Sequence, residues 1–151
     1  MNDFESALND LLVDTFNTIL KYESQSLKDI GGVTVTIGEA HMIDAIARLD
    51  PPVTISQVAA RMQLAMPTTT IAVKKLEQKG YVEKAASAAD GRRVTLILTD
   101  QGKRVDRAHT IFHQRMVRNI SSLFAPEEQT ILLGAIGQLK RYFIHQTKAD
   151  S

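Results

Sequence analysis

The stretch SAADGRRVTLILTDQGKR, residues 87–104, decides the fold of this chain. Two adjacent arginines, Arg92 and Arg93, follow Asp-Gly, and a strand-like run leads on from them to Thr99 and Asp100. Arginine is rarely buried without a partner, so a solvated hairpin tip is the simplest interpretation of the pair. The segments on either side decide whether the tip also has a function.

The segment before this stretch contains two short predicted helices. ISQVAARM, residues 55–62, follows Thr54, which together with Gln57 predicts a capping box. The second helix begins near Pro67, whose missing amide hydrogen costs nothing in a first turn, and Gly80 predicts its C-terminal cap. Two short helices at this spacing, with small polar and basic residues outside, are typical of a helix-turn-helix, although a solvated helical hairpin would show the same pattern.

A predicted β-hairpin follows the second helix. YVEKA, residues 81–85, and RVTLILT, residues 93–99, are strand-like, the second by alternation. A helix-turn-helix followed by a hairpin with a basic tip predicts a winged helix, which is a mainly α fold with a small β-wing. Arg92 at the tip would enter a narrow A·T-rich minor groove, and Asp90 is placed to pair with a wing arginine and hold the loop.

The charge distribution also indicates an anionic partner for the middle of the chain. Residues 54–104 carry nine basic and four acidic side chains, a net charge of +5. Residues 1–53 carry a net charge of −6 and residues 105–151 a net charge of +2. A basic segment between an acidic and a nearly neutral one is typical of a protein that binds nucleic acid through that segment.

The terminal helices carry more apolar residues than a winged helix needs. We therefore expect residues 1–30 and 105–151 to form dimerisation helices around a DNA-binding part at 37–104, within one unit covering 1–151. The absence of cysteine excludes disulfides and thiolate metal sites. No signal-like start or stretch of transmembrane length is present, so we expect a cytoplasmic protein with no membrane partner. No nucleophile elbow, phosphate loop or paired carboxylates indicate an enzyme.

These motifs resemble the MarR-type winged-helix regulators of bacteria over nearly the whole chain. The most specific likenesses are DGRRVTLILTDQGK at the wing and ISQVAARM with TTTIAVKKLEQKGYVEK in the helix-turn-helix. The resemblance implies a homodimer on double-stranded DNA, with each recognition helix in a major groove and each wing in a flanking minor groove. The operator would be a pseudo-palindrome with half-sites about 34 Å apart.

The resemblance also implies which residues contact DNA. Many relatives have arginine where this chain has Ile71, so contact with a thymine methyl group is favoured over reading of a guanine. The predicted DNA-contacting residues are Thr54, Ser56, Thr68, Thr70, Ile71, Lys74, Lys75, Arg92 and Arg93.

Within the family, EAHMIDAI and RAHTIFHQRMV are most similar to the repressors of fatty-acid synthesis, which respond to acylated acyl carrier protein. This likeness implies that a long acyl chain would lie in an apolar channel between the dimer helices and the winged domain. An acyl ligand, or an acylated acyl carrier protein, is therefore the expected effector of a ligand-responsive repressor.

The histidines leave two alternatives open. His109 and His113 are four residues apart on one predicted helix, a spacing that lets two imidazoles share a metal ion. Together with Glu23 and His41 they resemble the main metal site of zinc-responsive MarR-type regulators, and three histidines with one carboxylate satisfy tetrahedral zinc. The same residues would also serve as hydrogen-bonded packing residues, so zinc is a candidate cofactor and not a required one.

Three further functions are weighed against a ligand-responsive repressor. The first is a zinc-responsive regulator of the same family. The second is a winged-helix module that binds proteins and never contacts DNA, although it would have no need of basic side chains at both groove-reading positions. A hydrolase built on Glu23 and the histidines is a remote third candidate.

Overall fold

The computed structural model describes residues 1–28, 34–86 and 93–149. Asp90 and Arg92 lie outside these residues, so their predicted roles in the wing stay predictions. The chain packs as two compact units, Met1–Phe112 and His113–Ser151. The elements are α1 (Asp3–Lys28), α2 (Ile37–Ala47), α3 (Ile55–Met62), α4 (Met66–Gln78), β1 (Val82–Ala86), β2 (Val94–Leu98), α5 (Asp100–Ser121) and α6 (Pro126–Ala149).

The helix-turn-helix is formed by α3 and α4, and the local signals in the sequence set its bounds. The Gln57 amide donates to Thr54 Oγ1 at 3.3 Å, and the Thr54 amide donates to Gln57 Oε1 at 2.8 Å, which completes the predicted capping box. The helix α4 begins at Met66, one residue before Pro67. It ends before Gly80, whose φ of 79° is the left-handed conformation that favours glycine at this position.

The core of the first unit lies between the helix-turn-helix, α2 and the sheet. The sequence predicts an inward stripe of Thr69, Ala72, Val73 and Leu76 on α4; of these Thr69, Val73 and Leu76 are buried and Ala72 is half-buried. Val73 and Leu76 belong to a buried apolar cluster with at least one residue from every helix and strand of the unit: Leu27, Ala40, Met42, Ile43, Ile46, Val53, Val58, Val73, Leu76, Tyr81, Val82, Leu96 and Val105.

The sequence predicts a helix over residues 37–49, with Ile37, Ala40, Ile43, Ile46 and Ala47 on one apolar stripe, and this prediction for α2 is wrong in two details. The helix ends at Ala47 and not at Leu49, with Arg48 as its C-cap. Ala47 is exposed, whereas Met42 and Ala45, outside the predicted stripe, are buried. The reason is that α2 contacts α1, α3 and β2, so neighbours cover more of its circumference than a single amphipathic stripe requires.

The wing is the antiparallel pair of β1 and β2, in which Val82 faces Leu98 and Ala86 faces Val94. The predicted alternation in β2 is only partly correct, because Val94 is 45% exposed while Thr95 and Leu96 are both buried. Thr95 is tolerated inside because its hydroxyl donates to the carbonyl of Ala85 at 3.2 Å.

The junction between β2 and α5 explains the Thr-Asp-Gln-Gly sequence that follows the wing. The hydroxyl of Thr99 donates to the carbonyl of Gly80 at 2.6 Å and accepts from the amide of Gly102 at 3.1 Å. A Cβ atom on Gly102 would stand 2.2 Å from the carbonyl oxygen of Tyr81. The threonine therefore ties the end of the wing to the end of α4, and the glycine allows α5 to start against the backbone of Tyr81.

The second unit consists of the end of α5 and all of α6. The turn between them is held by Gln129, whose amide donates to the carbonyls of Ser121 and Phe124. None of the residues described between 113 and 148 is buried. Of the helices in the described residues, none is long and apolar enough to cross a membrane.

Candidate nucleic-acid interface and histidine cluster

The outer side of α4 is the first candidate site, and it presents every side chain that the sequence predicted there. Pro67, Ile71, Lys74 and Gln78 follow one another at spacings of four, three and four, opposite the buried stripe. We call these four residues the reading face. The remaining predicted contacts on α4 are exposed beside it: Thr68, Thr70 and Lys75.

The threonines of α4 differ in what their hydroxyl groups can still do. Thr69 donates to the carbonyl of Ala65 at 3.0 Å and is buried. Thr70 is exposed, yet its hydroxyl donates to the carbonyl of Met66 at 2.9 Å. Among the described residues, the hydroxyl of Thr68 has no hydrogen-bond partner. Thr70 therefore offers an outside partner its oxygen lone pairs and its methyl group, whereas Thr68 can still donate.

The two lysines of α4 are available to an anion. Within the part of the chain that the structure describes, neither Lys74 nor Lys75 takes part in an ion pair. Lys79, one turn further on, is engaged instead with Glu39, at 2.8 Å from its carboxylate. The two free ammonium groups on the outer side of α4 suit the phosphates on either rim of a groove.

A second group of predicted contacts meets between the start of α3 and the base of the wing. Thr54, Ser56 and Arg93 line one open groove, together with Gln57 and Thr95. The sequence placed these residues about forty positions apart, and the structure brings them to one surface. The hydroxyl of Thr54 is already used in the capping box, so the cation of Arg93 is the strongest group that the groove offers to a phosphate.

A cavity beside the reading face was not predicted. It has a volume of about 560 Å³ and is mostly apolar, with Met42 of α2 and Met62 of α3 facing Thr68 and Ile71 of α4. Residues of three helices line this cavity, so the periodicity or spacing within one segment of the sequence does not predict it.

The second candidate site is a buried cluster built from α1, α2 and α5. Glu23 Oε1 lies 2.8 Å from His41 Nε2 and 2.7 Å from His109 Nε2. Glu23 and His109 are only 3% and 4% exposed. Two nitrogens at these distances from one carboxylate oxygen both donate to it, which assigns the proton to Nε2 in each ring. The structure therefore brings these three residues together in a hydrogen-bonded cluster, and their predicted metal role stays a prediction.

The donor set of this cluster fits zinc by chemistry. Each of Glu23, His41 and His109 offers a ligand atom within 4.8 Å of the other two. Ligand atoms around a tetrahedral zinc ion stand about 3.3 Å apart, so the present contacts would have to open by roughly half an ångström and both Nε2 atoms would lose their protons. His113 follows one turn after His109 on α5 and begins the second unit, so its share in the site stays a prediction.

Asp106, a charged residue beside the cluster, was not predicted from the sequence. Burial raises the pKa of the Asp106 carboxyl, the like charge of Asp44 raises it further, and Arg48 and His109 act in the opposite direction. Arg48 is occupied by Asp44, to which its Nε donates at 2.8 Å. The four-residue spacing of Asp44 and Arg48 signals that pair in the sequence, whereas the approach of Asp106 depends on how α5 packs.

Comparison with known proteins points to one family. Residues 32–93 match the sequence profile of the MarR family. The chain is 27% identical over 109 residues to the HTH-type transcriptional regulator PecS of Dickeya dadantii, over 71% of this chain and 66% of PecS. It is 25% identical over 131 residues to the transcriptional regulator AdcR of Streptococcus pneumoniae, over 81% of this chain and 90% of AdcR.

A solved structure gives a fuller match. FabT of Streptococcus pneumoniae, crystallised in complex with DNA, superposes with a TM-score of 0.86 and 32% sequence identity. The match covers 94% of this chain and 99% of that protein. It therefore includes the terminal helices as well as the winged helix.

Proposed function

This chain belongs to the MarR family of winged helix-turn-helix, DNA-binding transcriptional regulators, and we propose that it is a ligand-responsive repressor that binds a pseudo-palindromic operator as a homodimer. A member of this family is not an enzyme, which sets the hydrolase aside. A module that binds only proteins is likewise disfavoured. The operator, the repression and the effector are the parts that experiment must test.

The observation that carries the proposal is the outer side of α4. Its small and basic side chains stand exposed while the opposite stripe is fully buried, so the helix is fixed on one side and open on the other. Lys74 and Lys75 make no internal ion pair among the described residues, and Arg93 lies at the base of the wing. A recognition helix flanked by unpaired cations is what binding in a major groove requires.

The salt dependence of operator binding tests this placement through Lys74. We expect Lys74→Ala to weaken binding to DNA from upstream of the protein's own gene. The slope of log K against log salt should fall by about 1.8, because each phosphate contact contributes about 0.9 and a dimer makes two. Fluorescence anisotropy at several salt concentrations measures both quantities.

Lys21→Ala is the matched control, since Lys21 is an exposed lysine of α1 away from the helix-turn-helix. It should leave the slope unchanged. An unchanged slope in Lys74→Ala would show that Lys74 does not contact a phosphate.

Exposed apolar side chains in each of the two units support the homodimer. Of the 26 residues of α1, only Glu23 and Leu27 are buried, while Phe4, Leu11 and Phe16 are each more than 60% exposed. In the second unit Ile131 and Leu133 are each 72% exposed. Apolar surface on this scale in a small protein is typical of a subunit interface.

The effector of the repressor is an acyl ligand, presented on acyl carrier protein or free. The likeness of EAHMIDAI and RAHTIFHQRMV to repressors of fatty-acid synthesis supports this assignment. Acyl carrier protein loaded with a sixteen-carbon chain should change operator affinity at least fivefold, whereas the unloaded carrier should not. Equal affinities with both forms would reject an acyl effector.

Zinc sensing is the second candidate, and the contacts of Glu23 with His41 and His109 favour it. Calorimetric titration of metal-stripped protein with zinc should show one tight site per chain, accompanied by release of protons from the two Nε2 atoms. Glu23→Gln keeps the shape of the side chain and should weaken that binding at least tenfold, while His145→Ala should not. If zinc binds no more tightly to the wild type than to Glu23→Gln, the three residues serve packing alone.

A further inference from the structure

We propose that α4 reads thymine methyl groups in the major groove and that Ile71 is the residue that determines this specificity. The inference rests on the proposed function, because it names what the recognition helix detects on the operator. Two observations support it: Ile71 is exposed at the centre of the reading face, and most of the hydroxyl groups near it already donate a hydrogen bond within α4.

Ile71 lies at the centre of the reading face. It is 60% exposed, one turn after Pro67 and one turn before Lys74 and Lys75. Residues in the N-terminal half of a recognition helix contact base edges, whereas cations further along suit the phosphates. The position that meets the bases is therefore occupied by a branched apolar side chain.

The polar groups nearest to Ile71 are weak competitors as readers of bases. The hydroxyl hydrogen of Thr70 is donated to the carbonyl of Met66, and Pro67 has no amide hydrogen to donate. Thr69 faces the core and is bonded to Ala65. Among the described residues of α4, Thr68 keeps a free hydroxyl donor before Ile71, and the ammonium groups of Lys74 and Lys75, one turn after it, suit phosphates.

The side chains that distinguish guanine or adenine by paired hydrogen bonds are missing from this part of the helix. Arginine, lysine, asparagine and glutamine do so, and the first of these in α4 are Lys74 and Lys75, in its C-terminal half. The thymine C5-methyl group is the apolar feature that base pairs display in the major groove. Against any other base edge, the isoleucine would cover hydrogen-bonding groups of the base and leave them without a partner, which costs free energy.

Substitution of thymine by deoxyuracil tests this inference directly. Deoxyuracil keeps the base pair and the O4 acceptor and removes only the methyl group. Symmetrical replacement should weaken binding at one or two thymine positions per half-site, by about fourfold for each buried methyl group and about fifteenfold for a symmetrical pair. The minor-groove contacts of the wing do not meet this methyl group, so they should not respond.

Ile71→Ala should bind the thymine and deoxyuracil operators equally well, because the partner of the methyl group is gone. Ile97→Ala is the control, since Ile97 is an apolar residue of β2 that is also more than half exposed, and it should keep the wild-type preference. Both substitutions remove exposed atoms, so circular dichroism should show an unchanged fold.

Three results would count against the inference or its basis. Wild-type protein that binds every deoxyuracil operator as tightly as the thymine operator would reject methyl reading and leave the repressor proposal intact. A thymine preference that persists in Ile71→Ala would assign the reading to another residue. Failure to bind any DNA from upstream of its own gene would reject the operator proposed there.

Discussion

At Gly102 the structure leaves no room for a Cβ atom, so substitution by alanine should destabilise the fold. Gly102 lies in the first turn of α5, where a Cβ atom would stand 2.2 Å from the carbonyl oxygen of Tyr81. That oxygen also accepts the amide of Thr99, so it cannot move without loss of a hydrogen bond at the end of the wing. We expect Gly102→Ala to lower the free energy of unfolding by about 2–3 kcal/mol, measured by urea denaturation.

Gly38→Ala provides a control of opposite sign. Gly38 lies in the first turn of α2, and a Cβ atom there would meet nothing within 4 Å. Alanine at this position should stabilise the protein by about 0.5 kcal/mol through helix propensity. Equal effects of the two substitutions would mean that the contact with Tyr81 relaxes freely.

Titration of the Asp106 carboxyl makes the free energy of unfolding depend on pH. Burial and Asp44 raise the pKa of its carboxyl in the folded state, so the folded protein holds this proton more tightly than the unfolded chain does. The contribution of Asp106 to stability therefore falls as the pH rises above about 4. We expect Asp106→Asn to be more stable than the wild type at pH 7, with a difference that shrinks as the pH approaches 4.

Urea denaturation at several pH values between 4 and 7 measures this difference. Asp14→Asn, at an exposed position of α1, should track the wild type over the same range. If Asp106→Asn were less stable than the wild type at pH 7, the attraction of Asp106 to Arg48 would outweigh the burial of its charge.

The wing is the element whose contribution to binding can be separated from that of α4. Thr99 and the Val53–Leu96 bridge hold the base of the hairpin against the rest of the first unit. We expect Arg92→Ala to weaken operator binding at least tenfold, because it removes a minor-groove charge from both wings of a dimer. Anisotropy on the same operator used for Lys74→Ala measures the loss.

Lys84→Ala tests whether any cation of the hairpin has this effect. Lys84 lies in β1 and stands 3.7 Å from Glu77, so its charge is already partnered. Lys84→Ala should weaken operator binding much less than Arg92→Ala does. Unchanged affinity in Arg92→Ala would remove the arginine tip from the interface.

At the scale of the whole molecule, the terminal helices bury few side chains within one chain, which supports the proposed homodimer. The described residues 113–148 include no buried side chain, and α1 exposes aromatic residues along most of its length. We expect light scattering to give twice the mass of one chain, and the midpoint of thermal unfolding to rise with protein concentration. Phe16→Glu should shift the protein towards the monomer.

Ile97→Glu serves as the matched control, because it places the same charge on an exposed apolar residue of the wing. It should leave the mass unchanged. A monomeric wild type at tens of micromolar would contradict the homodimer.

The features predicted correctly are those whose cause is local. The capping box of Thr54 and Gln57 forms within one turn, and Gly80 ends α4 because few other residues adopt its φ. The predictions failed where a residue's surroundings come from distant segments. Ala47 lies on the expected apolar stripe yet is exposed, and Thr95 lies on the expected polar side of β2 yet is buried.

The motifs of the sequence resemble the MarR family, and the sequence by itself determined a winged helix-turn-helix with an exposed and basic outer side on α4. It did so because helix period, caps and turns depend on neighbours within a few positions. Only the tertiary structure decided that one oxygen of Glu23 contacts both His41 and His109, the second of which lies 86 residues after Glu23. It also decided that Gly102 lies against Tyr81. Such contacts follow from the angle and depth at which helices pack, and no single segment of sequence specifies either.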